Sequence, residues 1–258
     1  MNQAKQGEWS KQWTMFRDDE KFLFNDWISP NTLEDFRDKE VLECGCGGGQ
    51  HTRFIAPYAK SVTAVDLNTA DIARERNVDL SNVKFLESDI ASMDLGKTFD
   101  VVFSIGVIHH TDDPDRTFEN LKKHVKRGGK LIIWVYSEEG NSLVKNILEP
   151  VRRSLLCRMN KNALAWLAKA LTLSMYIPVY SLYLLPVKFL PYYEYFDNFR
   201  RLSFERNCLN VFDKLNAPQV KFIKREKVCD WFNEREFKDP CITSYRGVSW
   251  RATGIKNG

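Results

Sequence analysis

Apolar positions along the chain change period several times, and each change predicts an element. Residues 8–36 set Trp9, Trp13, Phe16, Phe22, Phe24, Trp27, Ile28, Leu33 and Phe36 at roughly helical spacing, interrupted at Pro30. One or two helices over 1–36 are expected, placed as a lid ahead of the main domain. Short apolar runs then alternate with amphipathic ones. KEVLECG (39–45), SVTAVDLN (61–68), VKFLESDI (83–90), TFDVVFSIGVI (98–108) and GGKLIIWVYS (128–137) read as strands. HTRFIAPYA (51–59), TADIARERNVDL (69–80) and DPDRTFENLKKHVK (113–126) read as helices. Nearly continuous apolar strands alternating with helices predict a doubly wound α/β fold, with a parallel sheet covered on both faces.

After Ser137 the pattern changes. Residues 142–159 place Leu143, Val144, Ile147, Leu148, Val151, Leu155, Leu156 and Met159 on one helical face. Residues 162–190 are more apolar still. Lys169 stands in their best apolar run, and Pro178 and Pro186 divide them, which argues against a membrane span. A helical insertion over 141–210, serving as a substrate lid, is expected between strands of one sheet. The stretch 142–190 is also a candidate for peripheral membrane contact. REKVCDWFNEREF (225–237) is a further amphipathic helix, and CITSYRGVSWRATGIK (241–256) alternates like a strand or hairpin. Residues 211–258 therefore close the core that 37–140 begins.

Composition adds two points. The 258 residues carry a net charge of +4, divided unevenly. Residues 1–140 hold 18 basic and 24 acidic side chains, and the remainder hold 20 and 10, so the halves carry −6 and +10. A basic half suits a solvated surface, a nucleic acid, an anionic lipid or a phosphorylated substrate. Six scattered cysteines in a long chain, with no CxxC spacing, match neither a disulfide scaffold nor a zinc finger, and no metal site is expected. The N-terminal residues lack an apolar signal segment, so a cytoplasmic location is expected.

The chemistry starts at VLECGCGGG (41–49). Four glycines within five residues, between a strand and a helix, make a backbone cradle for a polar or anionic group. Alone, the cradle fits many nucleotides. A pyrophosphate loop would read G-x-G-x-x-G, but Gln50 stands where its third glycine would fall. Acids follow at Asp66, where a strand end can meet a ribose diol, and at Asp89 on the next strand end. With Glu43 they make an acidic mouth, unsuited to a pyrophosphate and suited to a cationic ligand bearing ribose and adenine.

VLECGCGGG, AVDLN, ESDI, FDVVFSIGVIHHTDDP and KRGGKLIIWVY, in this order, resemble the class I S-adenosylmethionine-dependent methyltransferases. The resemblance covers about residues 40–137 and is closest to the type 11 group of bacterial small-molecule methyltransferases, in which a His-His pair and an Asp-Pro turn follow the fourth strand. It implies a Rossmann-like, mostly parallel seven-stranded sheet and S-adenosyl-L-methionine as cofactor. Gly45, Gly47 and Gly49 would lie against the methionine and ribose, with Cys46 as a small loop residue. Glu43 would support the loop and the ammonium side, and His51 would approach the carboxylate. Asp66 and Leu67 would meet the ribose, Asp89 and Ile90 the adenine. Ser104 and Ile105 would end the fourth strand beneath the sulfonium. Trp13 joins this set from the early aromatic segment. Lys126-Arg127-Gly128-Gly129 departs from the commoner Lys-Pro-Gly-Gly.

Methyl transfer from a sulfonium mainly requires alignment of the two partners, and a hydroxyl acceptor also needs a base. His109, His110 and Tyr136 are the candidates, as base, orienting group or shapers of the turn. Aromatic residues at 192–196 near Lys188, Arg200, Arg201 and Arg206 suit an apolar, planar or anionic acceptor. The expected activity is O-methylation of a metabolite, sugar or lipid-linked compound by in-line displacement, with a small-molecule acceptor and no nucleic acid. The alternatives are a nucleic-acid methyltransferase, permitted by the basic half, and a non-catalytic protein that binds S-adenosylmethionine.

Overall fold

The computed structural model describes residues 20–258. The early aromatics Trp9, Trp13 and Phe16 lie outside the described residues. Helix α1 (Lys21–Ile28) turns its apolar stripe, Leu23, Phe24, Trp27 and Ile28, into the core. Five parallel strands follow: β1 (Glu40–Cys44), β2 (Ser61–Asp66), β3 (Val83–Glu87), β4 (Phe99–Ile105) and β5 (Val125–Tyr136). Their connections carry α2 (Gln50–Ile55), α3 (Ala70–Arg76) and α4 (Pro114–Lys123). A terminal hairpin, β6 (Phe237–Tyr245) and β7 (Ser249–Lys256), adds antiparallel to β5 through β7. The seven-stranded order is β3-β2-β1-β4-β5-β7-β6, which is the expected doubly wound, mostly parallel sheet.

Period-two alternation divides the core into two layers. Val41, Val101, Phe103, Ile105, Ile132 and Trp134 join α1 and α2 on one face. Leu42, Val102, Leu131, Ile133 and Val135 meet α4 and α9 (Arg225–Trp231) on the other, with Phe118 stacked on Trp231 at 4.9 Å. Helix α4 begins where the sequence says it should. Asp113 caps it by accepting from the Arg116 amide at 3.0 Å, and Pro114 occupies the first turn.

The segment between β5 and α9 is helical. A π-type turn (Val144–Leu148) leads into α5 (Glu149–Ser154), then α6 (Lys161–Val179), α7 (Tyr193–Phe199) and α8 (Phe204–Asn216). The apolar stretch at 162–190 forms one 19-residue helix as far as Val179, with Pro178 tolerated in its last turn. Among the described residues, no helix is long and apolar enough to cross a membrane. Leu156, Leu164, Ala165, Ala168, Val211, Phe212 and Leu215 form a third apolar cluster that belongs to the insertion alone. Helix α8 runs continuously across residues 210 and 211.

Candidate active site

The glycine loop closes the carboxyl end of β1. Gly45, Gly47 and Gly49 have φ of +87°, +52° and +78°, a region that favours glycine. A Cβ on Gly45 would stand 2.4 Å from Val107 Cγ2, so the main chain lies against the β4 turn with no room for a side chain. The Gly45 and Cys46 amides both donate to Val65 O, at 2.7 and 3.1 Å, which straps the loop to β2.

Asp66, at the end of β2, accepts from Gly47 N at 3.0 Å and Asn68 N at 3.3 Å. These bonds fix its carboxylate at the wall of a cleft of about 220 Å³. Leu67, Asp89 and Ile90 share that wall, as do the unforeseen Asn68 and Ser88. Asp89 is held by the Ala91 amide at 2.9 Å. Gly45, Cys46, Gly47, His51 and Ile105 border the same cleft.

Glu43, Gly49 and Ser104 do not border it. Gly49 supplies the residue before α2. Ser104 is buried and donates to Cys44 O at 2.8 Å, tying β4 to β1 beneath the loop. Glu43 is 1% exposed behind the loop. Its Oε2 accepts from the Thr52 hydroxyl, its Oε1 has no hydrogen-bond partner, and His51 Nδ1 lies 3.8 Å from Oε1. Burial pushes the Glu43 carboxyl up to about 8. His51 stacks on Phe24 at 4.9 Å, so α1 holds the ring in place.

The opposite wall joins the β4 turn to the end of β5. His110 borders the cleft, and its Nδ1 lies 2.8 Å from Gln219 O. A carbonyl can only accept, so Nδ1 carries the proton and Nε2 is the accepting nitrogen. Burial pulls the His110 pKa below the ordinary value, partly opposed by Asp213. His109 is fully buried and borders neither this cleft nor the adjoining cavity. Its Nδ1 accepts from the Tyr136 amide at 3.4 Å, and its ring packs 4.3 Å from the phenol ring. Of the His-His pair, therefore, only His110 faces the cleft. Tyr136 borders the cleft, and burial first, then Asp213, hold its phenol well above the ordinary range. It stays protonated at any physiological pH and serves as a donor.

The roof is α8, with Arg206, Leu209, Asn210 and Asp213 facing down. Ser203 caps the helix by accepting from the Arg206 amide at 3.1 Å. The opposite face, with Val211, Phe212 and Leu215, joins the insertion core. Leu209, Asn210 and Asp213 are site residues that the sequence does not single out, and Arg206 stands out there only as a nearby cation. Their signal was the i, i+3, i+4, i+7 spacing from Arg206 to Asp213. Beyond Trp27, Trp134, Tyr136, Arg206 and Asn210 lies a second cavity of about 310 Å³.

These features fit S-adenosylmethionine. Gly45 and Gly47 border the cleft without side chains, acids stand at or just past the ends of β2 and β3, and a buried Glu43 carboxyl oxygen without a hydrogen bond lies behind the loop. Residues 42–133 match the family model described as a methyltransferase domain. An O-methyltransferase of ubiquinone biosynthesis from Rickettsia akari is 36% identical over 100 residues, covering 36% of this chain and 39% of that protein. A tRNA U34 carboxymethyltransferase from Alteromonas mediterranea is 30% identical over 144 residues, covering 52% and 40%. The chain thus spans about two fifths of these relatives' length. The N-methyltransferase NodS of Bradyrhizobium japonicum WM9 shares the fold, with a TM-score of 0.51 at 13% identity over 97% of this chain and all of that one. Residues 42–133 are a class I S-adenosylmethionine-dependent methyltransferase domain of the type 11 group.

Proposed function

We propose that the protein transfers a methyl group from S-adenosylmethionine to an oxygen of a small-molecule acceptor. One observation carries this reading. A single cleft has the glycine loop with Asp66 and Asp89 on one wall, His110 with Tyr136 on the other, and Asp213 on the roof above them. The cofactor supplies a methyl group activated by its sulfonium. Gly45, Gly47 and Asp66 hold its methionyl and ribose portion, and Asp89 with Ile90 receives the adenine. His110 accepts the proton of the acceptor hydroxyl at Nε2. Tyr136 donates a hydrogen bond that orients the acceptor, and Asp213 fixes the phenol. Trp27, Trp134 and α8 keep water out.

Calorimetry with S-adenosylhomocysteine tests this reading directly. Saturable binding is expected, and no binding of either form of the cofactor ends it. RNA methylation is the second reading, favoured by the tRNA-acting relative and the +10 half of the chain. Tight tRNA binding with a steep salt dependence would promote it.

The same proposal places the enzyme in the cytoplasm, in peripheral contact with membrane through residues 142–190. The five described free cysteines suit a reducing compartment. Trp166, Ile177 and Phe189 are 72%, 76% and 83% exposed. The stretch holds seven basic side chains and one acidic, a balance suited to anionic lipid. Flotation with vesicles of phosphatidylcholine and phosphatidylglycerol should carry the protein upward, and Phe189→Glu should abolish this. Equal flotation of both proteins removes the membrane contact.

A further inference from the structure

The second cavity has the opposite balance of charged side chains from the cleft it adjoins. The cleft wall presents Asp66, Asp89 and Asp213. The cavity is lined by apolar and aromatic side chains, among them Leu148, Met175, Tyr195 and Phe196, and among the described residues no carboxylate lines it. Three cations do: Arg206, Lys214 and Arg246. Arg246 lies 3.5 Å from Asp197. Lys214 is different. Its ammonium donates to the Tyr195 hydroxyl at 3.1 Å and stands 4.9 Å from the centre of that ring. No carboxylate among the described residues pairs with it. A half-buried ammonium whose partner is a phenol hydroxyl and not a carboxylate leaves a place for an acid in an otherwise apolar cavity.

We infer that this cavity is the acceptor site, and that it takes an anionic amphiphile, a molecule with an apolar body and an acidic group. The inference rests on the methyltransferase reading and adds the acceptor class to it. Apolar walls with few placed polar groups are typical of ligand cavities, whose volumes run from about 300 Å³ upward. The apolar body displaces water from Met175 and Phe196, and the acid pairs with Lys214. The reacting hydroxyl then lies toward Tyr136, which borders both spaces along with Trp27, Trp134, Arg206 and Asn210. A neutral amphiphile loses the ion pair. A cationic one meets Lys214 unscreened, since the cavity wall offers no acid.

The test titrates the full chain, saturated with S-adenosylhomocysteine, with dodecyl phosphate, dodecanol and dodecyltrimethylammonium, each below its micelle concentration. Dodecyl phosphate is expected to bind at least ten-fold more tightly than the other two. Lys214→Gln should reduce it to the affinity of dodecanol. Met175→Trp, which fills the cavity away from the cleft, should weaken all binding at least ten-fold and leave S-adenosylhomocysteine binding unchanged. Equal affinity for the three probes on the unaltered protein overturns the inference and needs no variant to fold. So does unchanged dodecyl phosphate binding by Met175→Trp. Either result, with S-adenosylhomocysteine still bound, leaves the methyltransferase reading intact. Loss of cofactor binding by the unaltered protein ends that reading separately.

Discussion

The hydroxyl of Tyr136 donates to Asp213 Oδ2 at 3.2 Å, which joins the last residue of β5 to a helix of the insertion 77 positions later. The bond brings a sheet residue and an insertion residue to one point above the cleft. Asp213 also raises the pKa of His110 against the burial that lowers it. One carboxylate thus holds the phenol and acts on the imidazole.

Asp213→Asn should therefore shift the acidic limb of the pH–rate profile to lower pH. Without the carboxylate, protonated His110 loses its stabilising neighbour and the neutral base persists in more acidic solution. His110→Ala should lower kcat about 10²–10⁴-fold, in the range of general acid–base catalysis, with little change in S-adenosylhomocysteine affinity. Steady-state kinetics between pH 5 and 9 check both. An unchanged profile in Asp213→Asn removes the electrostatic link.

Asp66→Ala should weaken S-adenosylhomocysteine binding by at least ten-fold in calorimetry. Its carboxylate holds the Gly47 amide and faces the cleft. Asp66→Asn keeps the shape but places an amide where both oxygens now accept from backbone N–H groups, so it should fall between wild type and alanine.

Glu43 predicts how the ligand-free protein responds to pH. Burial raises its folded pKa to about 8 from an ordinary value of about 4.5. Between these values the folded state holds a proton that the unfolded state has released. The stabilising contribution is full below about pH 4.5 and is lost as pH rises through about 8. Thermal melts from pH 5 to 9 should show a falling Tm, and Glu43→Gln should flatten that fall. Parallel curves would show that Glu43 carries no such proton.

The sheet was legible because its signals are local. Cys44, Asp66 and Ile105 end apolar runs of five to seven residues, and each run is a strand. The acids at 66 and 89 and the glycine loop take their places from those strand ends. His109 was less legible, because adjacent residues on a short turn point in different directions and the sequence does not say which of the two faces the cleft. The contribution of α8 was hidden for another reason. Asn210 and Asp213 read as ordinary solvated helix positions until the insertion folds back over the cleft. That return depends on contacts between α6 and α8, far apart in sequence, through Leu164, Ala168, Val211 and Leu215.

Because α8 supplies Arg206 and Asn210 to both spaces, a ligand in either one would touch the same helix. The two occupancies then share one mechanical element, and linkage makes the effect mutual. Whatever one ligand gains from the other's presence is returned by the same factor. A probe in the second cavity that shifts S-adenosylhomocysteine affinity through this wall should have its own affinity shifted by the same factor.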